Sequence, residues 1–167
     1  ACASSAVLAQ PSKRTAAATS LPRVLAAALF AGNDPAAAIA LAAECSRTTH
    51  QSPLILDSCR AYSAMLLCAL RGQPAQDWLQ AVPEPVPGCW AARPLRKDVR
   101  AAVATAPAAA DARAAGGTID VLQALALARR IAGDAQDFGA AIAAAKHSVR
   151  DDAALVAGLV GTLSGLH

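Results

Sequence analysis

Two dipeptides, Asp34-Pro35 and Ser52-Pro53, constrain this chain more tightly than anything else in it. Proline holds φ near its helical value and has no N–H to contribute, so it suits the first turn of a helix, where a preceding Asp or Ser can cap free N–H groups. Apolar residues at helical spacing follow each pair: Ile39, Ala42 and Ala43 after the first, and Leu56, Cys59, Arg60, Ser63 and Leu67 after the second. The spacing predicts helices over 35–48 and 53–71. Between them lies the polar stretch Ser46-Arg47-Thr48-Thr49-His50-Gln51. On spacing alone, Thr48, Thr49 and His50 end one helix and form the turn before the next, where a histidine is solvated or bonded to backbone.

The same signals recur along the chain. Residues 1–19 form a small-residue and polar lead-in of weak periodicity, and 20–167 is expected to be a single helical domain. Pro22 starts a helix whose larger residues are Val24, Leu25, Leu29 and Phe30, with Gly32 expected as a left-handed C-terminal cap. Pro83, Pro85, Pro87 and Pro94 strip donors from residues 82–94, which therefore read as a long loop anchored by Trp90. A short helix is expected over 95–105 and an irregular connection over 106–117. Thr118 is expected to cap a helix carrying Ile119, Leu122, Leu125, Ala126 and Arg129 as far as Gly133. Residues 134–147, with Phe138, Ala141, Ile142 and Ala145 in phase, and 151–166, with Leu155, Val156, Leu159 and Leu163 facing inward, complete the series. Short connections between them favour antiparallel neighbours, and no strand pattern appears.

Composition explains how such helices pack. Of 167 residues 47 are alanine, so the hydrophobic share of 55% holds few large side chains. Alanine has the best helix propensity and lets helix axes come close, so an all-α bundle with thin interfaces is expected. Aromatics make up 3%, too few for stacking on nucleic acid bases, and the net charge of +3 is spread without a polybasic stripe. No nucleic-acid partner is expected. The longest uncharged run, 153–167, falls short of the roughly 20 residues that span a bilayer, so no membrane span is expected. Five cysteines form no C-x-x-C pair or zinc-ligand spacing, and a reducing, cytoplasmic setting is the simpler expectation. The absence of an initiator Met suggests a chain processed or cut from a longer one.

The order helix, S-x-x-T-H-x-x-P, long helix across 34–72 resembles the ADP-ribosylglycohydrolase family. Thr19-Ser20-Leu21-Pro22-Arg23-Val24 looks like that family's G-N-G-S-L-M-R segment, with Ser20, Leu21 and Arg23 matching, and with Ala18, Thr19 and Pro22 where the family has Asn, Gly and Met. Residues 117–125 are similar to its G-Y-V-x-D-x-L-x-A-A pattern. Residues 149–158 resemble its D-x-D-T-x-A-A-I-A-G metal loop: registered on Gly158, the second metal aspartate falls on Asp151, Val149 replaces the first, and Asp152 replaces the threonine. The resemblance covers the C-terminal half or so of a typical member.

The resemblance implies an all-α fold lacking the family's N-terminal helices, and hydrolysis of the glycosidic bond that joins ADP-ribose to a protein side chain or small molecule. It implies Ser20 and His50 as ligand-binding residues, Asp151 and Asp152 as metal ligands, and Mg2+ as the ion. Valine offers a hard cation no oxygen, and adjacent helical residues point about 100° apart, so the Asp151-Asp152 pair departs from the family loop. The family's T-D-D-T motif is absent, since no adjacent aspartates precede residue 151. ADP-ribose or an ADP-ribosylated substrate is the expected partner, with a missing N-terminal half or partner chain to complete the site. On this reading the chain alone is incomplete or inactive; the alternative is a non-catalytic ADP-ribose-binding or protein-interaction domain. Without the resemblance, Asp151 and Asp152 are helix-start acids that gain from the helix dipole.

Overall fold

A computed structural model describes residues 18–79, 81–104, 119–148 and 152–166. A 3-10 helix, Ala18–Arg23, leads into α1 (Val24–Ala31), followed by α2 (Pro35–Arg47), α3 (Pro53–Leu70), α4 (Ala75–Leu79), α5 (Lys97–Ala104), α6 (Val121–Asp134), α7 (Phe138–Ser148) and α8 (Ala153–Ser164). The described elements are all helical, as expected. Residues 1–17, 105–118 and 149–151 lie outside the described set, and with them most of the lead-in, the irregular connection, Thr118, Val149 and Asp151.

The order of packing follows from which helices are apolar all round. α3 is buried from Ile55 to Ala69 without interruption, and α1, α2, α5, α6 and α8 pack around it. A helix this long and apolar meets the length requirement for a membrane span, but 83% of it is buried inside the bundle. α1 pairs with α2, α7 with α8, and α6 with α8. Tyr62 links the centre to the far end of the chain, its hydroxyl donating to Leu159 O at 3.1 Å and bonding the Thr162 hydroxyl. Burial pushes that phenol well above its ordinary range.

Small side chains set the close approaches, as the alanine content predicts. Ala141 and Ala145 of α7 are fully buried, and a Cβ placed on Gly161 of α8 would stand 3.3 Å from Ile142 Cδ1. Larger side chains would push these helices apart.

The helix starts follow the sequence in position but not always in chemistry. Asp34 caps α2 through Ala37 N at 3.1 Å, whereas Ser52 stands in extended backbone at the start of α3 without a side-chain cap. The cap of α6 is Asp120, whose Oδ1 accepts from Leu122 N and Gln123 N while the Gln123 side chain returns to Asp120 N. Gly32 is right-handed at φ −60°, contrary to the expected left-handed cap, because the chain turns directly from α1 into the Asp34 cap. Two described glycines are left-handed, Gly88 at φ 73° in the proline-rich loop and Gly72 at φ 66°, where Gln73 N reaches back to Cys68 O at 3.0 Å and closes α3. Helix α7 starts later than expected because Asp137 caps it, accepting from Ala140 N at 2.7 Å.

The proline-rich segment is held from beneath by buried charge. Arg60 donates to Asp57 at 2.7 Å and to Arg93 O at 2.6 Å, and its guanidinium lies 5.2 Å from the Trp90 ring centre. The second oxygen of Asp57 accepts from Arg96 N at 2.7 Å. Trp90 Nε1 donates to Pro83 O, so the ring anchors the loop as expected. Arg129 on α6 contrasts with this network: it is buried, and among the described residues neither Nε nor Nη1 meets an acceptor.

Two stability outcomes follow. Asp57→Ala leaves Arg60 buried without its carboxylate and Arg96 N without an acceptor, and should lower unfolding free energy by about 3–5 kcal/mol in chemical denaturation. Arg129→Met removes an unsatisfied buried cation at similar volume and should raise the thermal midpoint rather than lower it.

Candidate functional site

The 3-10 helix Ala18–Arg23 packs against α1, α2, α3, α6 and α8, so it is where the start, middle and end of the chain meet. Pro22 lies inside it and contributes no N–H to its hydrogen bonds. One helical turn separates Ser20 from Arg23, and their environments differ sharply: Ser20 is buried and Arg23 is exposed.

Arg23 bridges to the polar turn after α2. Its Nη1 lies 3.5 Å from Thr48 Oγ1, and its Nη2 donates to Thr49 Oγ1. Thr49 Oγ1 in turn lies 2.8 Å from His50 Nδ1. That hydroxyl has one hydrogen to give, to His50 Nδ1 at 2.8 Å or to Ser46 O at 3.5 Å, and which of the two takes it depends on the tautomer of the ring. The turn itself is rigid, since Thr49 N and His50 N both donate to Ser46 O and Thr48 Oγ1 donates to Cys45 O at 2.9 Å.

Charge and burial act together on His50. Partial burial, and secondarily the Arg23 charge, hold the imidazole below its ordinary value of 6.5. It is therefore a neutral hydrogen-bonding group at physiological pH. Arg23 finds only hydroxyl partners among the described residues, so no carboxylate there neutralises it.

Ser20, the other expected ligand-binding residue, turns inward. Its hydroxyl lies 3.6 Å from Cys59 Sγ on α3. Burial raises the Cys59 thiol above its ordinary range, which keeps it protonated and unreactive. The hydroxyl of Ser58 donates to Leu54 O at 2.9 Å, so neither member of the Ser58-Cys59 pair is an activated nucleophile.

The expected metal residues divide. Asp151 lies outside the described residues. Asp152 is described, and its Oδ2 accepts from Ile119 N at 2.6 Å. This bond ties the start of α8 to the residue before the α6 cap and brings together two segments separated by more than thirty residues. The Asp120 carboxylate serves the capping box. No group of three or more His, Cys, Asp or Glu side chains with metal-binding proximity occurs among the described residues. A magnesium ion needs a near-octahedral set of oxygens, which the described residues do not supply.

Arg23 and Thr49 were not singled out by sequence as site residues. The signal was present in the matching S-L-x-R spacing, which puts Arg23 one turn beyond Ser20, but the contact to Thr49 spans 26 positions and is set by packing.

The model of the ADP-ribosylglycohydrolase family matches residues 2–167. A solved structure described as an ADP-ribosylglycohydrolase-related protein complex superposes with a TM-score of 0.73 at 25% identity, over 93% of this chain and 51% of that one. This chain thus spans about half the length of that relative. No curated protein matches.

The coupling of His50 to Arg23 has a measurable consequence. An NMR titration of the His50 ring should give a folded pKa below 6.5, and Arg23→Ala should raise it without restoring the full value, because burial remains. The sign is that of a depressed base: the folded state favours the neutral ring, so its contribution to stability is present above the unfolded pKa and is lost as pH falls through the folded one. A folded pKa at or above the unfolded value, or no response to Arg23→Ala, would refute the coupling.

Proposed function

The chain belongs to the ADP-ribosylglycohydrolase family, and from that premise we propose that it forms one wall of a site that binds ADP-ribose for hydrolysis of its glycosidic bond to a protein side chain or small molecule. The observation that carries this is the Arg23–Thr49–His50 chain of hydrogen bonds. It offers a guanidinium uncompensated by carboxylate among the described residues and, beside it, a neutral imidazole. A diphosphate-bearing sugar nucleotide presents oxygens of the kind that such donors recognise. Ser20 and Cys59 support this wall by packing beneath it rather than by touching ligand.

The division of labour follows from what the chain holds. It binds and orients; none of its described side chains is assigned to protonate the leaving group or activate water. Magnesium, the ion the family implies, polarises oxygens and orients water when bound, but the described donors do not make its shell. The remaining share of the family fold is therefore assigned the missing ligands, with Asp151 and Asp152 as this chain's candidates, and the chain alone is inactive on this reading. A second reading, an ADP-ribose binder without catalysis, is favoured by one observation: Asp152 Oδ2 is already engaged with Ile119 N. The four described cysteines are free thiols, which supports placing the protein in the reducing cytoplasm.

Calorimetry with ADP-ribose, with and without magnesium, tests the binding claim. The wild-type chain should release heat, and Arg23→Ala should weaken binding by about tenfold to a hundredfold, the worth of a hydrogen bond from a charged group. No heat from the wild type in either condition removes the reading of this chain as an ADP-ribose binder in its own right. Release of ADP-ribose from a modified protein by the complete gene product distinguishes the enzyme from the binder.

A further inference from the structure

Between the end of α6 and α7 lies an open groove of about 690 Å3, lined by Arg130 and Asp134 of α6, by Asp137 of the connection, and by Ala140, Ala144 and His147 of α7. Its volume falls within the range of clefts that hold ligands, roughly 300–1,000 Å3. None of Arg23, Thr49 and His50 lines it, so it is separate from the wall described above.

Its charged groups are set out and left unpaired. Arg130 and Asp134 stand four apart on one helix, the spacing at which opposite charges meet, yet among the described residues neither forms an ion pair with the other or with a third group. Asp137 accepts from Ala140 N through Oδ1, and its other oxygen has no partner there. His147 Nδ1 lies 2.7 Å from Ala143 O; a carbonyl only accepts, so Nδ1 carries the proton and Nε2 of the neutral ring is left as an acceptor. Ala140 and Ala144, one turn apart on α7, give the groove a lining without bulk, over which another backbone can pass closely.

The occupant follows from this chemistry. Two carboxylates and Nε2 call for donors and positive charge, while Arg130 calls for a carboxylate. These demands lie apart: the acids flank the α6–α7 connection, and His147 stands ten residues beyond Asp137 along α7. At 1.5 Å per residue that is about 15 Å, several times the separation of the charges on a free amino acid. An extended peptide of about five residues covers it. We propose that the α6–α7 groove binds an extended peptide segment of a partner protein, with a basic side chain over Asp134 and Asp137 and an acidic one over Arg130. The inference draws on neither family membership nor the ADP-ribose reading.

An NMR titration that follows the His147 ring tests it. The probes are acetylated, amidated peptides with one lysine and one glutamate separated by two, three or four alanines, in both orders. The same peptides with glutamine at both charged positions, and free lysine and free glutamate, are run alongside. Charged peptides of one order should give a saturating shift of the His147 ring, and the uncharged peptides and free amino acids should not. The His50 ring, which does not line the groove, should stay still. Arg130→Gln and Asp134→Asn should each weaken binding by about twofold to fivefold, the range of an exposed ion pair. Arg130→Glu combined with Asp134→Lys should reverse the preferred order, a result that loss of structure would not produce; circular dichroism checks the fold of each variant. No saturating shift with any charged peptide, equal shifts with the uncharged peptides or the free amino acids, or an order preference that survives the charge swap overturns the proposal. No arm uses ADP-ribose, so failure of that binding would leave it standing.

Discussion

The uninterrupted burial of α3 is the constraint on which the rest of this structure depends. From Ile55 to Ala69 every residue of this helix is buried, yet it carries Asp57, Arg60 and Tyr62. A buried charge left alone costs several kcal/mol, so each of these polar groups must find a partner inside the protein. Asp57 and Arg60 find each other one turn apart and spend their remaining valences on the backbone of Arg96 and Arg93. Tyr62 spends its hydroxyl on α8. The proline-rich loop and the last helix are thus tied to the centre by polar groups that cannot be left unmade.

Around that axis, the alanine-rich composition becomes a matter of distance. Helices with Ala and Gly at their contacts approach until backbone and side chain nearly touch, as at Gly161 and Ile142. Dispersion over many short contacts replaces the large buried side chains that a richer core would use.

The functional wall shows how the two levels meet. The turn after α2 is local: it forms because Ser46 O gathers the N–H groups of Thr49 and His50 at the end of a helix. Its chemistry is not local. Arg23 arrives from the 3-10 helix, adds its charge to the burial that depresses His50, and engages Thr49, while Ser20 from the same turn of chain is buried against Cys59. One short segment therefore presents a charged residue outward and a hydroxyl inward.

What the sequence by itself determined was the all-α class, the helix starts at Pro35 and Pro53, the loop of prolines and its Trp90 anchor, and the family through its T-H-x-x-P junction. These are properties of neighbouring residues, where φ restriction, missing donors and period of hydrophobicity act within a few positions. Local bonds within five positions made Asp120 rather than Thr118 the α6 cap and Gly72 rather than Gly32 left-handed, whereas only the tertiary structure decided that Asp152 bonds Ile119 N. It alone joined Arg23 to Thr49 and left Phe30 uncovered. Those outcomes depend on which surfaces meet after the helices pack, and a side chain's partner across that distance is set by the shape of the whole bundle.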